Sequence, residues 1–317
     1  MPGPIWLLTD AAMDVHQTAG HPERPERRTA VAVGVQDAAG PRLVERAFVD
    51  ATDAQIAAVH DPALVELLSG ISAGEGGWLD ADTYVAPGSW GAARRAAGAT
   101  VEAARGVATG GAAVAFAVVR PPGHHASATR ATGFCLLNNV AIGVAALRQE
   151  GFARRIAIVD WDVHHGDGTQ AIFDADPDLC YASTHQWPLY PGTGSLDERG
   201  IGDAIGTKHN RQLDPGAGDP EFIRAWLEDL LPAIEAFRPE AILLSAGYDA
   251  HRSDSLAHLA VTEHGYATVA RAIGEVAAGL GLPGVAATLE GGYDLAALRE
   301  SAAATVRGLS EGLGGGA

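Results

Sequence analysis

The sequence predicts an α/β fold in which one central parallel sheet is covered by helices on both faces. Three observations carry this prediction. Apolar runs of strand length alternate along the chain with longer helical patterns, the order that builds parallel strand–helix–strand units. Some runs, such as residues 156–159, are continuously apolar, as strands buried on both faces are. Polar clusters at His124/His125, at Asp160 to Asp167, at Asp249 and at Tyr293 each follow directly after such a run. Four loops therefore converge on the carboxyl edge of the sheet, where open α/β sheets bind their ligands.

Residues 5–8, bounded by Pro4 and Asp10, form the first expected strand. Pro22 and Pro25 keep the following polar segment a loop until Glu26, from where a helix reaches Ala39 and stops at Gly40-Pro41. Pro62 suits the first position of a helix that follows Asp61 and runs to about Leu68. A loop around Pro87-Gly88 precedes an Ala-rich helix from about Ser89 to Thr109. Residues 112–119 are the next buried strand, and Pro121, Pro122 and Gly123 fix a turn that leaves His124 and His125 at its mouth. A helix is expected over 136–149, with Leu136, Val140, Val144 and Leu147 on one side. The strand at 156–159 is followed by a short helix over 168–174 and a strand over 179–184. Beyond the Pro- and Gly-rich loop 187–202, the pattern predicts one long amphipathic helix over 220–237 and a strand over 241–245. Thr262 caps a helix to Gly279, residues 285–289 form a strand, and Asp294 caps a last helix to about Leu309. The Gly-rich residues 312–317 read as a frayed tail.

The chain of 317 residues suffices for a large core, and nothing in it demands two domains, so a single domain over 1–317 is expected. Hydrophobic residues make up 47% and charged residues 19%, which excludes wholesale disorder. The net charge of −17 argues against nucleic-acid or anionic-membrane partners and suits cationic substrates. Cys135 and Cys180 give no disulfide framework. No apolar run approaches the ~18 residues of a membrane span, and residues 1–10 lack the pattern of a signal peptide. The cytoplasm is the expected location.

Asp160, Asp162 and His164 alternate with Trp161 and Val163, so in extended chain the three polar side chains point to one side. A metal ion offsets the cost of burying such charges. With Asp249, residues Asp162 and His164 make a three-ligand set that leaves a position for water, the mark of a catalytic site. Zn²⁺ suits it, and two oxygen ligands also admit Fe²⁺ or Co²⁺. His124 and His125 are suited to proton transfer, with Asp160 and Asp167 to fix their tautomers. Tyr293 would donate a hydrogen bond to an oxyanion opposite the metal.

The runs RPPGHH (120–125), GFCLLNN (133–139), DWDVHHGDGT (160–169), PGTG (191–194), SAGYDAH (245–251) and LEGGYDL (289–295) together resemble the zinc-dependent histone deacetylase family, nearest its class II and bacterial amidohydrolase branch. That resemblance implies the arginase/deacetylase fold with about eight parallel strands. It implies Asp162, His164 and Asp249 as zinc ligands, His124 and His125 as the tandem histidines paired with Asp160 and Asp167, and Tyr293 as the catalytic tyrosine. Gly133 and Phe134 match one side of an acyl-lysine tunnel; Tyr190 stands where the family usually has phenylalanine on the other. A potassium ion is implied at the main-chain oxygens of Asp160, Asp162, His164 and Thr184 and the Ser183 hydroxyl, and Arg27 matches an arginine of the inner acetate channel.

The expected activity is removal of acetyl or related acyl groups from lysine-type amines in a peptide, a protein or a small molecule. Polyamine-specific relatives carry a glutamate where this chain has Leu256, which opposes the alternative of an acetylpolyamine hydrolase. The family's rim aspartate has no match at Val85, and Asp82 is the substitute considered. A catalytically idle acyl-lysine binder is opposed by the complete ligand set and Tyr293. Oligomeric state is left open.

Overall fold

The computed structural model describes residues 3–17 and 19–315. Eight strands make one sheet: β1 (Ile5–Leu8), β2 (Leu43–Glu45), β5 (Val114–Ala117), β6 (Ile156–Asp160), β7 (Leu179–Gln186), β8 (Lys208–Leu213), β9 (Ala241–Ala246) and β10 (Val285–Leu289). Their order is β2-β1-β5-β10-β9-β6-β7-β8, and every neighbouring pair is parallel. The predicted fold is the observed one. A separate two-stranded antiparallel ribbon pairs β3 (Gly77–Trp78) with β4 (Tyr84–Val85).

Helices α4 (Ser89–Ala108) and α5 (Asn139–Gln149) pack on one face of the sheet. On the other lie α1 (Glu26–Ala39), α9 (Glu263–Gly279) and α10 (Leu295–Gly314). Alternation along the strands feeds both cores. In β6, Ile156 and Ile158 join the α4/α5 side while Ala157 and Val159 join the other. The alternation persists past the strand's end, since Trp161 and Val163 continue the second row and leave Asp160 and Asp162 on the first. The smaller helices are α2 (Asp53–Ala57), α3 (Pro62–Ala73), α6 (Asp167–Phe173), α7 (Asp219–Arg224) and α8 (Leu231–Phe237).

Several expectations need correction. The long helix over 220–237 is interrupted: Ala225–Leu230 forms a wide π turn, in which the Leu231 N–H reaches back to the Trp226 carbonyl. Pro232, with no N–H to donate, follows at once. Residues 312–314 are not tail but the last turn of α10, because α9 and α10 approach closely there; a Cβ on Gly312 would lie 2.1 Å from the Arg271 carbonyl oxygen. Residues 316 and 317 lie outside the described residues. The helix after Pro62 passes through Gly70 to Ala73, and α5 starts at Asn139, capped by the Asn138 side chain.

That cap rests on a buried histidine. His60 Nε2 accepts the Asn138 N–H at 2.9 Å, so its other nitrogen, 3.0 Å from the Ser127 carbonyl, must be the donor. Protonation would remove the acceptor, and burial already lowers the His60 pKa from 6.5 to about 4. Between pH 6.5 and 4 the unfolded chain therefore binds more protons at this residue than the folded one, and stability falls as pH falls through that window. The loss is on the order of 3 kcal/mol. Denaturant unfolding at pH 7 and pH 4.5 should show this loss in the wild type and a smaller one in His60→Asn. Equal losses in both would rule His60 out as the cause.

Candidate metal centre and active site

β5, β10, β9 and β6 lie side by side at the centre of the sheet, and their carboxyl ends deliver His124/His125, Tyr293, Asp249 and Asp162/His164 to one place. One nitrogen or oxygen from each of Asp162, His164 and Asp249 can be chosen so that all lie within 4.8 Å of one another. His164 Nδ1 lies 3.1 Å from Asp162 Oδ1 and 3.2 Å from Asp249 Oδ2. Asp249 Oδ2 is buried without a hydrogen bond of proper geometry, although the other oxygen accepts the Val163 N–H. Gly291 makes the approach feasible; a Cβ there would come within 2.2 Å of Asp249 Oδ2.

Two buried carboxylates this close repel. Burial and Asp162 raise the Asp249 pKa to about 6. Burial would lower His164, but Asp162 and Asp249 overcome it and raise it to about 10. A cation relieves both tensions, because it pairs with the carboxylates and displaces the proton from the imidazole. The orphaned oxygen and the oxygen–nitrogen donor set fit a divalent ion.

Beside this triad stand two histidine–carboxylate pairs. His124 Nδ1 is 3.1 Å from Asp160 Oδ2, and His125 Nδ1 is 2.7 Å from Asp167 Oδ1. Against burial, Asp162 and Asp160 hold His124 well above the usual imidazole range. Burial and the neighbouring His124 push His125 down to about 4, which keeps it neutral. The two rings are 4.0 Å apart.

Above the triad a pocket is lined by Gly133, Phe134, Tyr190, Leu256, Tyr293 and Asp82, among others. Phe134 has φ +68°, a costly conformation for a bulky residue, of the kind that collects at functional sites. Gly133 lies against His125, where a Cβ would approach Cδ2 to 2.4 Å. Tyr293 packs edge-on to Phe134 and lies under the Arg27 guanidinium, 4.8 Å from its ring centre. Burial raises the Tyr293 phenol well above its normal pKa, so it stays a donor.

Arg27 is fully buried and donates to the Gly292 and Glu290 carbonyls and to Glu23. Ser183, the register partner of Asp160, bonds through its hydroxyl to His185, and Thr184 Oγ1 accepts from the Trp226 indole.

Two positioning groups escaped the sequence reading, Glu290 inside one of the motifs it used and Asp254 just past another. Glu290 accepts the Gly123 and His124 N–H groups and the Ser245 hydroxyl, fixing the turn that carries the histidines. Asp254 accepts the N–H groups of Tyr293, Asp294 and Leu256. A motif flagged Glu290 alone, and the contacts that make both groups matter join residues about 40 or more positions apart.

The fold and site define an α/β protein with a candidate metal site at a pocket on the carboxyl edge of its sheet. The Histone deacetylase domain model matches residues 21–309. A "Probable deacetylase" of Methanothermobacter thermautotrophicus is 40% identical over 308 residues, covering 96% of this chain and 90% of its own length. Among solved structures, the HD domain of HDA15 superposes with a TM-score of 0.91 at 35% identity, covering 98% of this chain and 89% of that one. An acetylpolyamine aminohydrolase from Burkholderia pseudomallei gives a TM-score of 0.87 at 30% identity, covering 96% and 98%. The chain belongs to the histone deacetylase family and is a deacetylase of that family. No helix among the described residues is long and apolar enough to cross a membrane.

Proposed function

We propose that this deacetylase hydrolyses the amide of acetylated lysine-type amines, releasing carboxylate and free amine, with Zn²⁺ at Asp162, His164 and Asp249. The convergence of these three candidate ligands at a pocket walled by Phe134, Tyr190 and Leu256, beside two histidine–carboxylate pairs, carries the reading. When bound, the ion polarises the carbonyl and acidifies water. His125, neutral and oriented by Asp167, takes the proton from the attacking water and later delivers it to the leaving amine. His124 and Asp160 stabilise charge behind it. Tyr293 donates to the carbonyl oxygen as negative charge develops there. Phe134 and Tyr190 enclose the methylene stem, Leu256 lines the rim, and the Gly133 carbonyl accepts from the substrate amide. Potassium held by the main chain of Asp160, Asp162, His164 and Thr184 with the Ser183 hydroxyl, and an acetate exit past Arg27, complete the reading. So do a single domain and a reducing cytoplasmic setting, which suits two buried free thiols.

Tyr293→Phe removes one oxyanion donor and should lower kcat by on the order of 10²- to 10³-fold, with KM little changed. A wild-type kcat in that variant would remove Tyr293 from the chemistry. A second reading, a small acylated amine as substrate, is favoured by the likeness to the acetylpolyamine aminohydrolase and by the Asp82 carboxylate at the pocket mouth. Leu256 opposes it. Turnover of an acetyl-lysine peptide against N-acetylputrescine on zinc-loaded protein decides between them, and failure to hydrolyse either would overturn both.

A further inference from the structure

Tyr190 sits on the Pro- and Gly-rich loop after β7 and is 43% exposed, yet its ring is held edge-on to His125 at 5.1 Å. A hydrogen-bond chain explains why. Asp80 Oδ2 accepts the Thr132 hydroxyl proton at 2.8 Å. An ionised carboxylate only accepts, so the single Thr132 proton is committed there, and Tyr190, 3.1 Å from Thr132 Oγ1, is the donor of the second bond. The Tyr190 hydroxyl is thereby tied to Thr132, a residue outside the pocket lining, while the ring stands against His125.

The far end of this chain is the turn of the β3–β4 ribbon. Asp80 Oδ1 accepts the N–H groups of Asp82 and Thr83, and Thr83 Oγ1 accepts the N–H of Phe134, the opposite wall of the tunnel. Two-residue strands cannot hold a ribbon in place alone. The ribbon, Phe134 and Tyr190 are thus tied together by one chain of hydrogen bonds along one side of the pocket.

We infer that Tyr190, Thr132 and Asp80 form a clasp that sets the bore of the tunnel, making Thr132 and Asp80 positioning residues that select amides of unbranched primary amines over those of bulky or aromatic amines. The inference rests on the deacetylase reading above. A phenylalanine at 190 would supply the same ring without the tie.

The test compares zinc-loaded wild type, Tyr190→Phe, Thr132→Val, the double variant and Thr132→Ser on an acetyl-lysine peptide and on N-acetylbenzylamine. Hydrogen exchange over residues 77–85 is followed in parallel. Thr132→Val leaves every tunnel-lining side chain in place, so it isolates the tie from the wall. The clasp predicts that each of the first two variants lowers selectivity for the straight-chain amide by about fivefold, the factor for one hydrogen bond. The change should come chiefly through a higher KM for the lysine substrate. The double variant should do no more than the singles, because both break one chain. Thr132→Ser should keep wild-type selectivity, and ribbon exchange should quicken in Tyr190→Phe and Thr132→Val alone. An active wild type with unchanged selectivity and exchange in Thr132→Val would overturn the clasp and leave the deacetylase reading standing. A wild type that hydrolyses neither amide would overturn that reading, and the exchange rates would still decide whether the tie holds the ribbon.

Discussion

Asp249→Ala should abolish the thermal stabilisation that Zn²⁺ gives the wild type and lower amide hydrolysis by on the order of 10³-fold or more, the several kcal/mol a Lewis acid supplies. The loss has a cause separable from misfolding. Without metal, the Asp249 carboxylate is buried beside Asp162, which repels it, and its Oδ2 has only the His164 imidazole 3.2 Å away. Removing it relieves the repulsion from Asp162 but also leaves the Val163 N–H and the His164 imidazole without this partner, so the metal's contribution is read as the Zn²⁺-induced shift within each protein. Melting curves with and without Zn²⁺ measure that shift. Metal binding should also strengthen as pH rises from 5 toward 10, because cation and proton compete for Asp249, whose pKa is near 6, and for His164, whose pKa is near 10. Full zinc stabilisation in Asp249→Ala would place the ion elsewhere.

The second large effect concerns stability. Glu23→Ala should cost about 3–5 kcal/mol, the price of breaking a buried ion pair from one side. Glu23, Arg27 and Arg120 are each at most 2% exposed. Glu23 Oε1 accepts from Arg27 at 2.9 Å and from Arg120 Nε at 2.7 Å, and Oε2 accepts from Arg120 Nη2. Removing the carboxylate strands two guanidinium groups that cannot give up their protons. Although burial opposes it, Arg120 and Arg27 lower the Glu23 pKa from 4.5 to about 2. The folded value is depressed, so this stability is present above pH 4.5 and lost as pH falls toward 2, amounting to about 3 kcal/mol. Activity should fall as well, because Arg27 carries the Tyr293 ring. Urea unfolding within 1 kcal/mol of wild type would show that the cluster is not a net contributor.

The legible elements were those whose signal is local. β1, β6, β9 and β10 emerge from apolar runs, and the helix at Ser89 and the caps at Thr262 and Asp294 from their own few residues. β8 was missed because Lys-His-Asn-Arg-Gln-Leu is polar and lies at the sheet edge, where alternation is weak. The two-residue strands of the ribbon carry no pattern at all.

From residue order alone came the alternating layered architecture and the candidate ligand and proton-transfer groups, since each is written in a short stretch of neighbours. Only the tertiary structure decided which strands stand side by side, how close Asp249 comes to His164, and that Tyr190, Thr132 and Asp80 join hands along one side of the pocket. Those relations link residues tens to hundreds of positions apart, and packing in three dimensions is the only thing that sets such distances.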